Sequence, residues 1–90
     1  MLEGSIKVTN PLGLHARAAA QLVKLANTFS SKITVKRPDT NVEADANSIL
    51  GLLALAASTG TTLHLRVEGE DEQHTFDDVE EMFRKGFGEI

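Results

Sequence analysis

Ninety residues with a formal net charge of -4 leave room for one domain with a thin core, since a chain of this size buries only about 60 to 65% of its unfolded surface, which excludes a large enclosed active site. Acidic residues gather between Glu68 and Glu81, and this excludes a general nucleic-acid binder, which needs a basic face to neutralise phosphates. The absence of cysteine excludes a disulfide framework and thiolate chemistry and suits a reducing compartment.

The first residues, MLEGSIK, lack the apolar core of a secretory signal. The longest apolar run, Ile49 to Ala57, is far short of the roughly 20 residues that span a bilayer. An unprocessed, soluble, cytoplasmic chain with no membrane partner is expected. Alternation over Ser5 to Thr9, with Ile6 and Val8 on one face and Lys7 on the other, predicts a half-buried strand that Asn10-Pro11 stops. From Ala16 the period lengthens. Ala19, Leu22, Val23, Ala26 and then Phe29 or Ser30 recur at steps of three and four, opposite Gln21, Lys24 and Asn27, as in a helix packed by one stripe.

Lys32 to Lys36 alternates again, Arg37-Pro38-Asp39-Thr40 reads as a turn, and Val42 with Ala44 returns as a short antiparallel strand. Ser48 is placed to cap a short, unusually apolar helix from Ile49 to Ala57, which Ser58-Thr59-Gly60 ends. Leu63, Leu65 and Val67 mark a fourth strand, with Thr62, His64 and Arg66 facing out. Asp71 offers a cap to a third helix whose stripe is Phe76, Val79 and Met82 or Phe83, supported by the pairs Glu80 with Arg84 and Glu81 with Lys85. The order βαββαβα predicts a single α+β domain over residues 1–90, an open-faced sandwich in which three helices cover one face of a four-stranded antiparallel sheet.

One residue resists a purely structural account. His15 stands directly before the first helix in Gly13-Leu14-His15-Ala16-Arg17, where serine or aspartate is the better cap. A helix N-terminus presents unpaired N–H groups and the positive end of the dipole, so a phosphoryl group carried there finds its oxygens already met by donors. The Arg17 guanidinium adds a fork that fits phosphate oxygens. The same dipole end disfavours a cationic ring and suits a neutral nucleophile. Gly13 lets the chain turn tightly beside the ring, and Leu14, read as exposed, suggests a docking surface.

Gly13-Leu14-His15-Ala16-Arg17-Ala18-Ala19 resembles the active-site motif of the histidine-containing phosphocarrier (HPr) family of the bacterial phosphoenolpyruvate phosphotransferase system. Asn47-Ser48-Ile49-Leu50-Gly51 resembles the family's second signature, and the element order and length agree over nearly all 90 residues. The resemblance implies an HPr-like fold in which His15 takes a phosphoryl group on Nδ1 from phosphorylated enzyme I and passes it to a IIA protein or domain. Such a protein is a relay intermediate without turnover of its own, expected as a monomer with no cofactor and no metal. Phosphoryl transfer is mostly positioning and charge stabilisation, so the Arg17 side chain and the backbone N–H groups of Ala16, Arg17 and Ala18 are the expected phosphate-holding groups. Leu14, Ile49, Leu50 and Leu53 are expected to join in one patch that meets both partners, with Lys24 steering toward acidic surfaces.

Ser48 corresponds to a serine that a dedicated kinase phosphorylates in many members, which adds a serine kinase or phosphorylase as a candidate partner. A dianion at a helix N-terminus leaves the fold intact but spoils an apolar patch. Asn47 stands where the regulated members usually carry lysine, so a plain helix cap competes with that reading. Ala18 replaces the family's usual proline, which a first helical turn tolerates, and Leu12 replaces a polar residue that in many members helps orient the histidine. Leu12, the long approach Val42 to Ser48 and the run Gly86-Phe87-Gly88-Glu89 look more like the nitrogen-related (NPr-like) branch. His64 and His74 lack partners at metal spacing and read as solvated residues. The competing reading is a regulatory interaction module whose phosphorylation at His15 or Ser48 controls binding to a partner protein.

Overall fold

The structure, a computed structural model, describes residues 1–89. Its elements run β1 (Leu2–Lys7), α1 (Ala16–Ala26), β2 (Lys32–Arg37), β3 (Val42–Asp45), α2 (Ile49–Ala54), β4 (Thr62–Glu68) and α3 (Glu72–Arg84), followed by a tight turn at Gly86–Gly88. The four strands form one antiparallel sheet in the order β1-β4-β2-β3. β4 is thus an interior strand, hydrogen-bonded on both edges. Its alternation explains the layering: Leu63, Leu65 and Val67 are fully buried, and Thr62 and Arg66 face solvent on the open side. Burying an aliphatic side chain of this size contributes about 1.5–3 kcal/mol.

The helices cover the other face. Leu22 of α1, Leu52 of α2, Leu55 just beyond it and Phe83 of α3 are at most 1% exposed and complete a single core with the sheet. Of the two residues offered for the stripe of α3, Phe83 is buried and Met82 only half-buried. The first strand begins at Leu2, before the expected Ser5. Gly4 interrupts the apolar alternation because the ring of Phe76 takes the space of its missing side chain: a Cβ there would lie 2.8 Å from that ring.

Two helices end sooner than periodicity predicts. α1 stops at Ala26, short of Phe29 and Ser30, where the Thr28 hydroxyl donates to the Leu25 carbonyl at 2.7 Å. The Asp71 carboxylate then accepts from the Ser30 and Ser31 amides, each at 3.0 Å, and from the Ser31 hydroxyl. Asp71 therefore does not cap α3 with its side chain, as expected from sequence; it fastens the loop entering β2 to the start of α3. α2 stops at Ala54 and not at Ala57, because Ala56 takes a left-handed φ of 51°. The Arg37 guanidinium donates to the carbonyls of Leu55 at 3.2 Å and Ala56 at 2.8 Å, meeting groups a helix end leaves unpaired. Of the two pairs expected on α3, Lys85 meets Glu81 at 2.8 Å, while Arg84 leans toward Glu81 and not Glu80.

Candidate functional site

The segment between β1 and α1 is held from three sides. The Gly13 amide donates to the Asn10 carbonyl at 3.1 Å, and the fully buried Asn10 side chain donates back to the Gly13 carbonyl at 2.6 Å. Gly13 itself has φ +70°, and a Cβ there would lie 2.7 Å from the Ala57 carbonyl oxygen, so this turn admits only glycine without a shift. The Leu14 amide donates to that same Ala57 oxygen at 2.8 Å, which couples the turn to the segment leaving α2.

This placement corrects one expectation. Leu14 is only 5% exposed and belongs to the core, so it anchors the site from within and presents no docking surface. The hydrogen bond from its N–H to the Ala57 carbonyl and the turn at Gly13 aim the side chain inward. The exposed apolar residue in this segment is Leu12, at 68%. On α2, which packs against α1, Leu50 is 82% exposed, and Ile49 and Leu53 are also exposed.

His15 is the N-cap of α1, with extended φ/ψ of -81° and -179°. Its Nδ1 accepts from the Arg17 amide at 3.3 Å and its carbonyl accepts from Ala19 at 2.8 Å. On the other edge of the ring Nε2 lies 2.5 Å from Oε2 of Glu89. The ring beside it holds the Glu89 carboxyl below the usual carboxylate range, against the opposing effect of burial, and the Leu12 amide at 3.4 Å helps. One tautomer satisfies both contacts: Nε2 carries the proton and donates to Glu89, and Nδ1 offers its lone pair to the helix N-terminus.

Glu89 is the site residue the sequence reading missed, noticed there only as part of a Gly-Phe-Gly-Glu run. Nothing in local spacing links it to a residue 74 positions away. The signal was the pair of glycines around an aromatic. Gly86, Phe87 and Gly88 all have left-handed φ, of 61°, 54° and 79°, and this turns the chain back after α3. Phe87 is buried edge-on against Phe83 with ring centroids 4.9 Å apart, which fixes the turn that delivers Glu89.

The other candidates disperse. The Arg17 side chain is exposed and in no ion pair among the described residues, beside the amides of Ala16 and Ala18 at the start of α1. Lys24 lies in the last turn of α1, about 13 Å along the axis from His15 at the usual rise per residue, where it complements the dipole. The Ser48 hydroxyl accepts from the Gly51 amide at 3.0 Å and caps α2. His64 and His74, read as solvated, each meet one carboxylate: His64 pairs with Glu3 at 2.8 Å, and His74 lies 3.3 Å from Asp78. Among the described residues no three metal-ligating side chains converge. The larger grooves, between α1 and the Phe87 turn and below the end of α1, are lined by other residues, and the His15 side chain is half-buried outside them.

Comparison with known proteins places the chain in a family. Residues 2–85 match the family described as PTS HPr component phosphorylation site. The phosphocarrier protein HPr of Xylella fastidiosa (strain Temecula1) is 44% identical over 89 residues, covering 99% of this chain and 98% of that one. The phosphocarrier protein NPr of Proteus mirabilis is 36% identical over 84 residues, covering 93% of this chain and 92% of that one. In the crystal structure of HPr-C-His from Thermoanaerobacter tengcongensis the same fold recurs with a TM-score of 0.92 at 38% identity, covering 100% of this chain and 99% of that one.

Proposed function

The chain belongs to the HPr phosphocarrier family of the phosphotransferase system, and from that premise we propose that His15 is a transferable phosphoryl site, loaded by phosphorylated enzyme I and unloaded by a IIA protein or domain. The observation that carries this reading is the posture of the ring, whose Nδ1 lone pair faces the Arg17 amide at the start of α1 while Nε2 is occupied by Glu89. In loading, Nδ1 forms the new N–P bond, the bond from phosphorus to the donor breaks, and its electron pair leaves with the donor. The phosphoryl oxygens then take over as acceptors for the helix N–H groups of Ala16, Arg17 and Ala18, with the Arg17 guanidinium as a mobile clamp.

Ile49, Leu50 and Leu53, with Leu12 in the place assigned to Leu14, form the surface that meets both partners, and Lys24 contributes long-range steering. A donor and an acceptor that share one surface must bind in turn, which favours fast exchange over tight binding. The protein acts as a single-domain monomer in the cytoplasm and has no turnover of its own. Ser48 is read as a helix cap, since its hydroxyl is already engaged with Gly51.

The test is the intact mass of the protein after incubation with phosphoenolpyruvate, magnesium and enzyme I. One added phosphoryl group, lost in acid and never gained by His15→Ala, is the expected result. No added mass with either a sugar-system or a nitrogen-related enzyme I, both shown active on their own carriers, overturns the reading in favour of a binding module.

A further inference from the structure

We infer that Glu89 is a positioning residue for this site: it selects the tautomer of His15 that leaves Nδ1 free as nucleophile, and it balances the charge the ring acquires when the phosphoryl group arrives. The inference rests on the phosphocarrier reading and deepens it. Three observations carry it. Oε2 lies 2.5 Å from Nε2, and the Glu89 side chain is only 15% exposed, so the contact is shielded from bulk water and little screened. The other carboxylate oxygen lies 3.4 Å from the Leu12 amide, which fixes the carboxylate plane against the same turn that carries the ring. The buried Phe87 in its left-handed turn holds the backbone two residues away.

The chemistry follows from charge balance. A neutral ring that attacks phosphorus through Nδ1 becomes a phosphorylated imidazolium, because the Nε2 proton stays where it is. The positive charge develops on a ring whose far edge already faces an anion, and no proton has to move during the transfer. A carboxylate behind a histidine stabilises a developing imidazolium in this way in hydrolases that use a serine nucleophile. The donor keeps the electron pair of the broken bond, and Glu89 remains a carboxylate throughout. Among the described residues Glu89 is the charged side chain that pairs with the ring, and the Arg17 amide meets Nδ1 on the opposite edge. Without Glu89 the one tautomer-selecting contact left among the described residues is the long 3.3 Å contact from the Arg17 amide.

The experiment has two independent readouts. The first is the nitrogen chemical shifts of the His15 ring in the unmodified protein, which report the tautomer directly and need no variant; Nε2–H is expected. The second is single-turnover phosphoryl transfer across a range of phosphorylated enzyme I concentrations, for the wild type, Glu89→Gln and His15→Ala. Glu89→Gln keeps size and hydrogen bonding but removes the charge. It is expected to lower the maximal transfer rate on the order of tenfold or more with an unchanged half-saturating concentration, since the carboxylate touches the ring and not the partner.

A wild-type ring protonated on Nδ1, or a Glu89→Gln maximal rate within about twofold of wild type, overturns the assignment. So does a variant that loses affinity at an unchanged maximal rate, which marks Glu89 as part of the docking face. Wild-type protein that accepts no phosphoryl group overturns the carrier reading itself, and with it the transfer role. That failure is recognised because all three proteins are then equally inert.

Discussion

At His15 one lone pair has two uses. Nδ1 caps α1 by accepting the Arg17 amide, and in the proposed transfer the same electrons form the bond to phosphorus. The conflict is mild because the contact is long, so its removal frees a nucleophile at little cost. His15→Ala is accordingly expected to abolish phosphoryl acceptance while changing unfolding free energy by less than about 1 kcal/mol, the low end of cap losses; mass spectrometry and urea unfolding check the two halves. Ser48 is the opposite case, a short-contact cap on a helix of six residues. Ser48→Ala should cost roughly 0.5–2 kcal/mol, measured by the urea midpoint. Ser48→Asp, which keeps a cap but adds charge beside Ile49, Leu50 and Leu53, should leave the melting temperature nearly unchanged and slow transfer from enzyme I.

Element boundaries show where neighbours overrule propensity. Asp71 fits an N-cap by type, yet its carboxylate serves Ser30 and Ser31 from another part of the chain. The Ser31 hydroxyl, followed by the Ser30 amide, holds that carboxyl well below the usual carboxylate range. A carboxyl depressed in the folded state stabilises the fold above its unfolded value of about 3.9 and loses that contribution as pH falls toward the folded value. The melting temperature should therefore drop with acidification below about pH 4. Asp71→Asn should melt lower than wild type at pH 7 and show a flatter acid limb, read from calorimetric scans between pH 2 and 7. Wild-type and variant scans of equal slope would remove Asp71 from the acid response.

Across the whole molecule the sheet order places the last strand, β4, between the first two to be made, β1 and β2. The core and the site depend on this non-local pairing together, since the strand exit at Val8 and Asn10 leads directly into the histidine turn. Val8 exchanges backbone hydrogen bonds with Gly60 and Thr61, and Leu14 takes Ala57, so both walls of the site loop are parts of the segment leaving α2. Leu52, fully buried in α2, ties that segment to the core. Leu52→Ala should cost about 2–5 kcal/mol; at 4–8 °C per kcal/mol for a domain of this size, the melting temperature falls by roughly 10 °C or more. Differential scanning calorimetry checks it.

Binary patterning by itself determined the class, the number and order of elements, the open and covered faces of the sheet and the place of His15 before a helix, because these follow from local periodicity and cap chemistry. The candidate phosphoryl-site motif was legible for the same reason: its parts lie within seven consecutive residues, Gly13 to Ala19. Only the tertiary structure decided that Leu14 turns inward while Leu12 is exposed, that α1 and α2 stop early, that Arg37 closes α2 and Asp71 fastens the α1–β2 loop, and that Glu89 stands behind the histidine. Most of these rest on contacts between residues far apart in the chain. Periodicity shows which face of an element is apolar, but not which distant carbonyl, carboxylate or ring will arrive beside it once the sheet has closed.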